Sequence, residues 1–231
     1  AVVLSSVASL RRIVRGTTLT RTIATMVLKK ANNLNNALAK EIAKYFCNIT
    51  IIDAANKVAD LEKCVDDQLH EAAFALLKPT AVQNAVKSVV VRSLQNLVSI
   101  PSNALKLVAV CMEPVMKFLK DSYDIYAAQV VYNLSCLAGC RADLVDAKVH
   151  VAVLDLFQSN KEQSNTGLKS VFLQILVQLS SSQVCVMELL QLELITKLEQ
   201  QLKTLKLTSN WKDISLMLLA VVAYAIKSIS D

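Results

Sequence analysis

The stretch Val131-Tyr-Asn-Leu-Ser135 closes an apolar segment, and close variants of it return along the chain. The segments that align with it are Ser9-Leu-Arg-Arg-Ile-Val14, Phe46-Cys-Asn-Ile-Thr50, Ser93-Leu-Gln-Asn-Leu-Val98 and Leu176-Val-Gln-Leu-Ser180. One aligned position, called the slot below, holds Arg12, Asn48, Asn96, Asn133 and Gln178. The intervals between slots are 36, 48, 37 and 45 residues, and a recurrence of this length is typical of stacked helical repeats.

The composition favours an all-α protein. Of 231 residues, 54% are hydrophobic and 19% are charged, and there are only three glycines and three prolines. A sandwich or barrel of many short strands needs more turn-forming residues than this. So much apolar side chain must be buried, which excludes disorder for the bulk of the chain. One helical repeat cannot bury its apolar face alone, whereas stacked repeats form a continuous core.

We predict one repeat domain over residues 1–231, with about five repeats and a partial one. After each slot we expect a polar break, a short helix and an amphipathic second helix before the next third helix. The equivalent second-helix segments are Val115-Met-Lys-Phe-Leu119, Val153-Leu-Asp-Leu-Phe157 and Ile195-Thr-Lys-Leu-Glu199. The predicted limits of the repeats are 1–16, 17–52, 53–100, 101–137, 138–182 and 183–231. We expect the chain to be a piece of a longer protein.

The slot motifs resemble those of the armadillo-repeat family. The segment Cys111-Met-Glu-Pro-Val-Met-Lys-Phe-Leu119 looks like the start of that family's second helix. The glycine that the family usually carries before the second helix is missing from every repeat. The resemblance implies a right-handed α-solenoid, with HEAT-like repeats as a close alternative. It also implies that the third helices line a concave groove into which the slot residues point.

The resemblance implies that this groove binds an extended or helical segment of another protein. A row of amides can bond a peptide backbone at regular spacing. One turn before the last four slots the chain places Lys44, Arg92, Gln129 and Gln174. The family's nuclear-import members carry tryptophan at these positions to bind basic segments, whereas Trp211 of this chain lies outside the pattern. The basic side chains of Lys44 and Arg92 instead favour a partner with acidic residues. The predicted groove residues are Arg12, Lys44, Asn48, Arg92, Asn96, Gln129, Asn133, Gln174 and Gln178.

The slot amides also have an internal interpretation. A polar residue that closes an apolar helix can bond the end of a neighbouring helix and so stabilise the stack. A second functional hypothesis is therefore structural. In it, terminal repeats stack end-on in a larger assembly, cytoskeletal or other, and no groove is used.

The basic residues are concentrated at one end of the chain. Residues 1–40 hold seven basic and no acidic residues, and the remaining 18 basic and 19 acidic residues sum to −1. The predicted basic patch, Arg11, Arg12, Arg15 and Arg21, is either a solvated cap or junction of the array or a weak nucleic-acid surface. Aromatic residues are 5% of the chain and do not alternate with basic ones, which disfavours nucleic acid.

No constellation for catalysis or metal binding is indicated. His70 and His150 are each isolated within a helical segment, and no phosphate loop or nucleophile motif is found. Cys136 and Cys140, with His150 as a third ligand, fall short of the four that a structural zinc site needs. We predict no enzyme activity, no catalytic or metal-binding residues, no cofactor and no small-molecule substrate.

Cysteine usage and hydropathy predict an intracellular protein. Six cysteines lie in apolar helical stretches of a chain too large to need disulfides, which predicts buried thiols in a reducing compartment. The longest uncharged apolar run, 214–226, has 13 residues, fewer than the roughly 20 of a spanning helix. The Arg-rich start also resembles an organellar transit peptide, but it continues the helical pattern. We predict a cytoplasmic or cytoskeleton-associated location.

Overall fold

The computed structural model describes residues 11, 14–15, 17–51, 58–159, 166–204 and 209–230. Within these ranges every regular element is a helix, and no strand is present. The prediction of an all-α protein is therefore confirmed. None of the helices in these ranges combines the length and the apolar character needed to cross a membrane.

The chain separates into two compact units, Ala1–Val130 and Val131–Asp231. The N-terminal unit contains α1 (Leu19–Lys30), a 3-10 turn (Ala31–Asn33), α2 (Asn36–Thr50), α3 (Val58–Asp66), α4 (Leu69–Leu77), α5 (Asn84–Val98), α6 (Pro101–Ser122) and the start of α7 (Ile125–Cys136). The C-terminal unit contains the rest of α7, α8 (Ala138–Asp146), α9 (Val149–Gln158), α10 (Thr166–Leu179), α11 (Gln183–Gln191), α12 (Leu194–Thr204) and α13 (Ser209–Ser230). The single array over 1–231 and its repeat limits stay predictions.

Polar side chains define where several helices begin. The Asn35 Oδ1 atom accepts the backbone N–H of Leu38 at 2.9 Å before α2. The Asp124 Oδ1 atom accepts the N–H of Ala127 at 3.0 Å at the start of α7. These side chains satisfy N–H groups that have no partner within their own helix. Each cap contributes about 1 kcal/mol.

Two slot helices pack against each other in the N-terminal unit, and in the C-terminal unit one slot helix packs against two other helices. In the N-terminal unit α2 packs on α5 and α1 packs on α4, and in the C-terminal unit α9 and α13 both pack on α10. The cores include the fully buried side chains of Phe46, Leu94, Phe157 and Phe172. Burying one such side chain contributes roughly 1.5–3 kcal/mol, so packing between helices is a main source of stability in both units.

One turn with a left-handed residue recurs between a short helix and the helix that follows it. It contains Gln68 between α3 and α4, Lys148 between α8 and α9, and Glu193 between α11 and α12, with φ of 61°, 55° and 58°. In each case the residue's N–H bonds the carbonyl three positions earlier, and its carbonyl accepts the N–H four positions later. Glycine adopts this conformation without strain. The sequence lacks glycine here, but the backbone makes the turn with larger residues.

Glycine at two of these turns is expected to stabilise the protein. A left-handed residue with a Cβ is strained, so Gln68→Gly and Glu193→Gly should each raise the free energy of unfolding by about 0.5–1 kcal/mol. Urea denaturation followed by circular dichroism measures the change. Glu199→Gly, at an exposed position inside α12, is the control and should cost about 1 kcal/mol. If Gln68→Gly and Glu193→Gly lower the free energy of unfolding as much as Glu199→Gly does, the left-handed residues are not strained.

The prediction of two separate helices after Asn96 is wrong. Residues 101–122 form one helix of 22 residues, α6. Lys148 and Glu193 each lie 15 residues after a slot, and the same interval from Asn96 leads to Cys111, which is helical. Pro114 lies inside α6 and has no N–H for the carbonyl of Val110. Val110 is exposed, so water can satisfy that carbonyl and the helix continues.

Candidate functional site

Helices α2 and α5 of the N-terminal unit carry four of the predicted groove residues. Lys44 and Asn48 lie one turn apart on α2, and Arg92 and Asn96 lie one turn apart on α5, which packs on α2. The two basic side chains are exposed and the two amides are half-buried. We call these four residues the slot face.

The Asn96 amide is bonded within the stack. Its Nδ2 atom donates to the Thr50 hydroxyl at 3.2 Å, and that hydroxyl lies 2.9 Å from the Phe46 carbonyl, to which it donates. The slot amide of α5 therefore bonds the last turn of α2. This is the geometry of the internal interpretation, and it engages one of the two donors that an amide carries.

Arg92 lies between two neighbouring helices. Its guanidinium carbon is 5.4 Å from the ring centroid of Tyr126 on α7. Burial raises the pKa of the Cys47 thiol on α2, and the positive charge of Arg92 partly offsets that rise. A cation over an aromatic face at an exposed site gains about 0.5–1 kcal/mol. The contact with Tyr126 orients a charged group that solvent can reach.

Lys44 is less firmly held. Its Nζ atom is 2.7 Å from Glu41 Oε1 on the same helix, and both side chains are exposed. Exposed pairs of this kind contribute at most about 1 kcal/mol. An acidic group on another molecule can therefore compete with Glu41 for Lys44 at little cost.

In the C-terminal unit the slot residue Gln178 is bonded to a neighbouring helix. Its Oε1 atom accepts from Arg141 Nη2 at 3.0 Å, and Arg141 Nη1 donates to the Ser181 hydroxyl at 3.0 Å. Gln174 and Asn133 are half-buried. Gln129 is also half-buried, in the N-terminal unit, and Arg12 lies outside the described residues.

The predicted basic patch is not an exposed group of four arginines. Arg15 is 1% exposed and Arg11 is also buried. Arg15 donates from Nε to the carbonyl of Ile49 and from Nη2 to that of Ile51 at 3.1 Å. Arg21 is exposed and pairs with Asp67 at 3.2 Å. Arg15 is buried because the carbonyls at the end of α2 lack partners within their helix and attract a cation.

Side chains that bond the end of a slot helix were not identified from the sequence. Arg15 bonds the end of α2 in this way. Asn103 likewise donates to the Leu97 carbonyl of α5 at 3.3 Å. Arg141 donates from Nε to the Ser135 carbonyl of α7 at 2.8 Å. Asn103 and Arg141 follow their slots by seven and eight residues, and this spacing is a signal that could have found them.

Both histidines are accounted for by packing. His150 is fully buried, and its Nε2 atom is 2.6 Å from Glu188 Oε2 on α11. Lys148 bonds the other oxygen of Glu188. The hydrogen bond from Lys148, and after it the one with His150, lowers the pKa of the Glu188 carboxyl. Burial lowers the pKa of His70, which lies edge-on to Phe74. The cluster around Glu188 joins α9 to α11.

The thiols are suited to packing rather than to chemistry. Five cysteines are buried as predicted, and burial raises the pKa of Cys64 and Cys185 to about 12. The prediction is wrong for Cys136, which is exposed because it lies at the end of α7. In the described ranges no group of three or more His, Cys, Asp or Glu residues could hold a metal ion.

Comparison with known proteins identifies a fold and no family. No protein-family model matches the sequence, and no curated protein matches it. The chain is similar to the crystal structure of an engineered protein from the Northeast Structural Genomics Consortium. The TM-score is 0.73 at 17% sequence identity, over 97% of this chain and 87% of that one. At this identity the likeness concerns the helical fold alone.

Proposed function

We propose that the chain is a non-catalytic protein-binding scaffold, built as a right-handed armadillo-like α-solenoid. The recurrent left-handed turn at Gln68, Lys148 and Glu193 supports the repeat architecture, since it lies at the same place between two helices in three predicted repeats. The side-by-side packing of α2 on α5 and of α10 on α13 supports it too. We further propose a cytoplasmic or cytoskeleton-associated location and membership of a larger assembly.

The position of Arg92 carries the binding proposal. Its charge is exposed and held over Tyr126, one turn from the amide of Asn96. Val89 lies one turn earlier on α5 and is half-buried. A cation, an amide and a partly open apolar side chain in one row offer three kinds of contact to a bound segment. The proposed ligand is an extended or helical peptide with acidic residues.

The charge of the slot face sets the expected partner chemistry. Lys44 and Arg92 contribute two positive charges, and Glu41 offsets one of them in part. Charge complementarity determines which partners are attracted and how fast they associate. Asp or Glu side chains of the partner should therefore lie against Arg92, where no carboxylate of the same helix competes.

A peptide-selection experiment tests this proposal. A displayed library of random 12-residue peptides is selected on the wild-type chain and on Arg92→Glu. We expect Asp and Glu to be enriched by the wild type and to be lost with Arg92→Glu, with affinity for wild-type-selected peptides falling about tenfold. Fluorescence anisotropy of one labelled peptide measures the affinity.

The control is Lys120→Glu, which makes the same charge change at an exposed position on α6. It should leave both the selected sequences and the affinities unchanged. Equal losses in the two variants would mean that net charge, not the slot face, attracts the peptides. A labelled single-stranded RNA that binds more tightly than any peptide at 0.2 M salt would also contradict the proposal, since a nonspecific charge contact weakens with salt.

A further inference from the structure

The α13 helix carries an exposed stripe that is apolar in the middle and charged at its ends. Leu216 is 63% exposed and Met217 is 57% exposed. Ala220, Ala223, Asp213 and Lys227 are also exposed. Leu218 and Val222, on the other side of the helix, are buried. Exposed apolar patches rimmed by charges commonly mark binding surfaces.

The positions of the stripe follow a seven-residue spacing. Asp213, Ala220 and Lys227 are separated by seven residues each, so they lie along one side of the helix. At 1.5 Å per residue the two charges are about 21 Å apart. Ala220 lies midway between Asp213 and Lys227. The two ends of the stripe are therefore equally far from its centre and carry opposite charges.

We propose that this stripe binds the same stripe of a second copy, with the two α13 helices antiparallel and crossing at Ala220. In that register Asp213 faces Lys227 of the second copy, and the contact occurs twice. Met217 faces Ala223 of the second copy, also twice, so a large side chain meets a small one. The surface is thus self-complementary, as the isologous interface of a twofold dimer requires.

Charge and size both favour this arrangement over its alternatives. A parallel pair would place Asp213 against Asp213 and Lys227 against Lys227, which like-charge repulsion disfavours. Alanine at the crossing point lets the helix axes approach closely, because it adds only one methyl group on each side. One helix pair is smaller than a standard interface, so we expect a dissociation constant on the order of 100 µM.

Charge exchange between copies tests the pairing. Sedimentation equilibrium of the full chain between 5 and 500 µM should show a monomer–dimer equilibrium. Asp213→Lys and Lys227→Asp should each weaken it at least about tenfold, because each places like charges in both contacts. An equimolar mixture of the two variants should associate again, since every contact then joins opposite charges. The double variant should dimerise within about threefold of the wild type.

A matched charge change and a cross-link complete the test. Lys120→Asp, at an exposed position of α6, should leave the dimer unchanged. In a Cys136→Ser background, Ala220→Cys should form a disulfide-linked dimer on oxidation, whereas Asp146→Cys, at an exposed position of α8, should not. A wild-type chain that stays monomeric at 500 µM would overturn the proposal. So would larger oligomers, or single variants whose mixture does not associate.

Discussion

Replacing Arg15 with methionine is expected to lower the free energy of unfolding by about 3 kcal/mol. The guanidinium donates to the Ile49 and Ile51 carbonyls at the end of α2, and the side chain is fully buried. Methionine fills similar space but donates no hydrogen bond, so these carbonyls lose their cationic partner. Part of that loss is offset because a charge no longer has to be buried. Urea denaturation followed by circular dichroism measures the change.

Two further variants separate the effect of the two parallel guanidinium N–H groups from the effect of the positive charge at position 15. Arg15→Lys keeps the charge but cannot present two parallel N–H groups, and it should cost about 2 kcal/mol. Lys29→Met, at an exposed position near the end of α1, should change stability by less than about 0.5 kcal/mol. If Arg15→Met costs no more than Lys29→Met, the buried guanidinium is not a stabilising contact.

The helices could be predicted because their signals are local. Apolar periodicity and polar breaks operate within one or two turns, and the slots at Asn48, Asn96 and Asn133 do lie in α2, α5 and α7. The turns between helices were harder to predict. Gln68 and Glu193 adopt left-handed conformations, and a glycine at these positions would have indicated such a turn. Cys111 lies at the corresponding distance after the Asn96 slot but stays helical. Gln68 and Glu193 are polar and Cys111 is apolar, but polarity alone does not specify a left-handed backbone.

The bonding of the candidate site could not be predicted from the sequence. Asn96 and its partner Thr50 are 46 residues apart, and Arg15 and Ile51 are 36 apart. Such pairs depend on which helices pack together, which periodicity does not specify. The charge count placed Arg15 in a basic patch, read as a solvated cap or a junction, because a count of charges contains no information on burial. Lys44 and Arg92 lie one helical turn before Asn48 and Asn96 on α2 and α5, and the role of these four residues in a groove stays a prediction.

Replacing Arg141 with alanine is expected to cost about 2 kcal/mol. Its guanidinium donates to the carbonyls of Ser135 and Cys136 at 2.8 and 3.3 Å, and to the side chains of Gln178 and Ser181 at 3.0 Å each. It thus bonds the end of α7 and a slot residue of α10 at once. Arg141→Lys should recover less than half of the loss, because an ammonium group cannot reach four acceptors in one plane.

A double-mutant cycle tests whether the slot glutamine is part of this contact. Gln178→Ala alone should cost about 1 kcal/mol, and the double variant should cost about 0.5–1 kcal/mol less than the sum of the singles. Gln174→Ala, one turn earlier on the same helix, is the control and should add to Arg141→Ala without coupling. Strict additivity for Gln178 would show that its amide does not depend on Arg141. Additivity would then favour a Gln178 amide that is directed toward a bound partner and not toward Arg141.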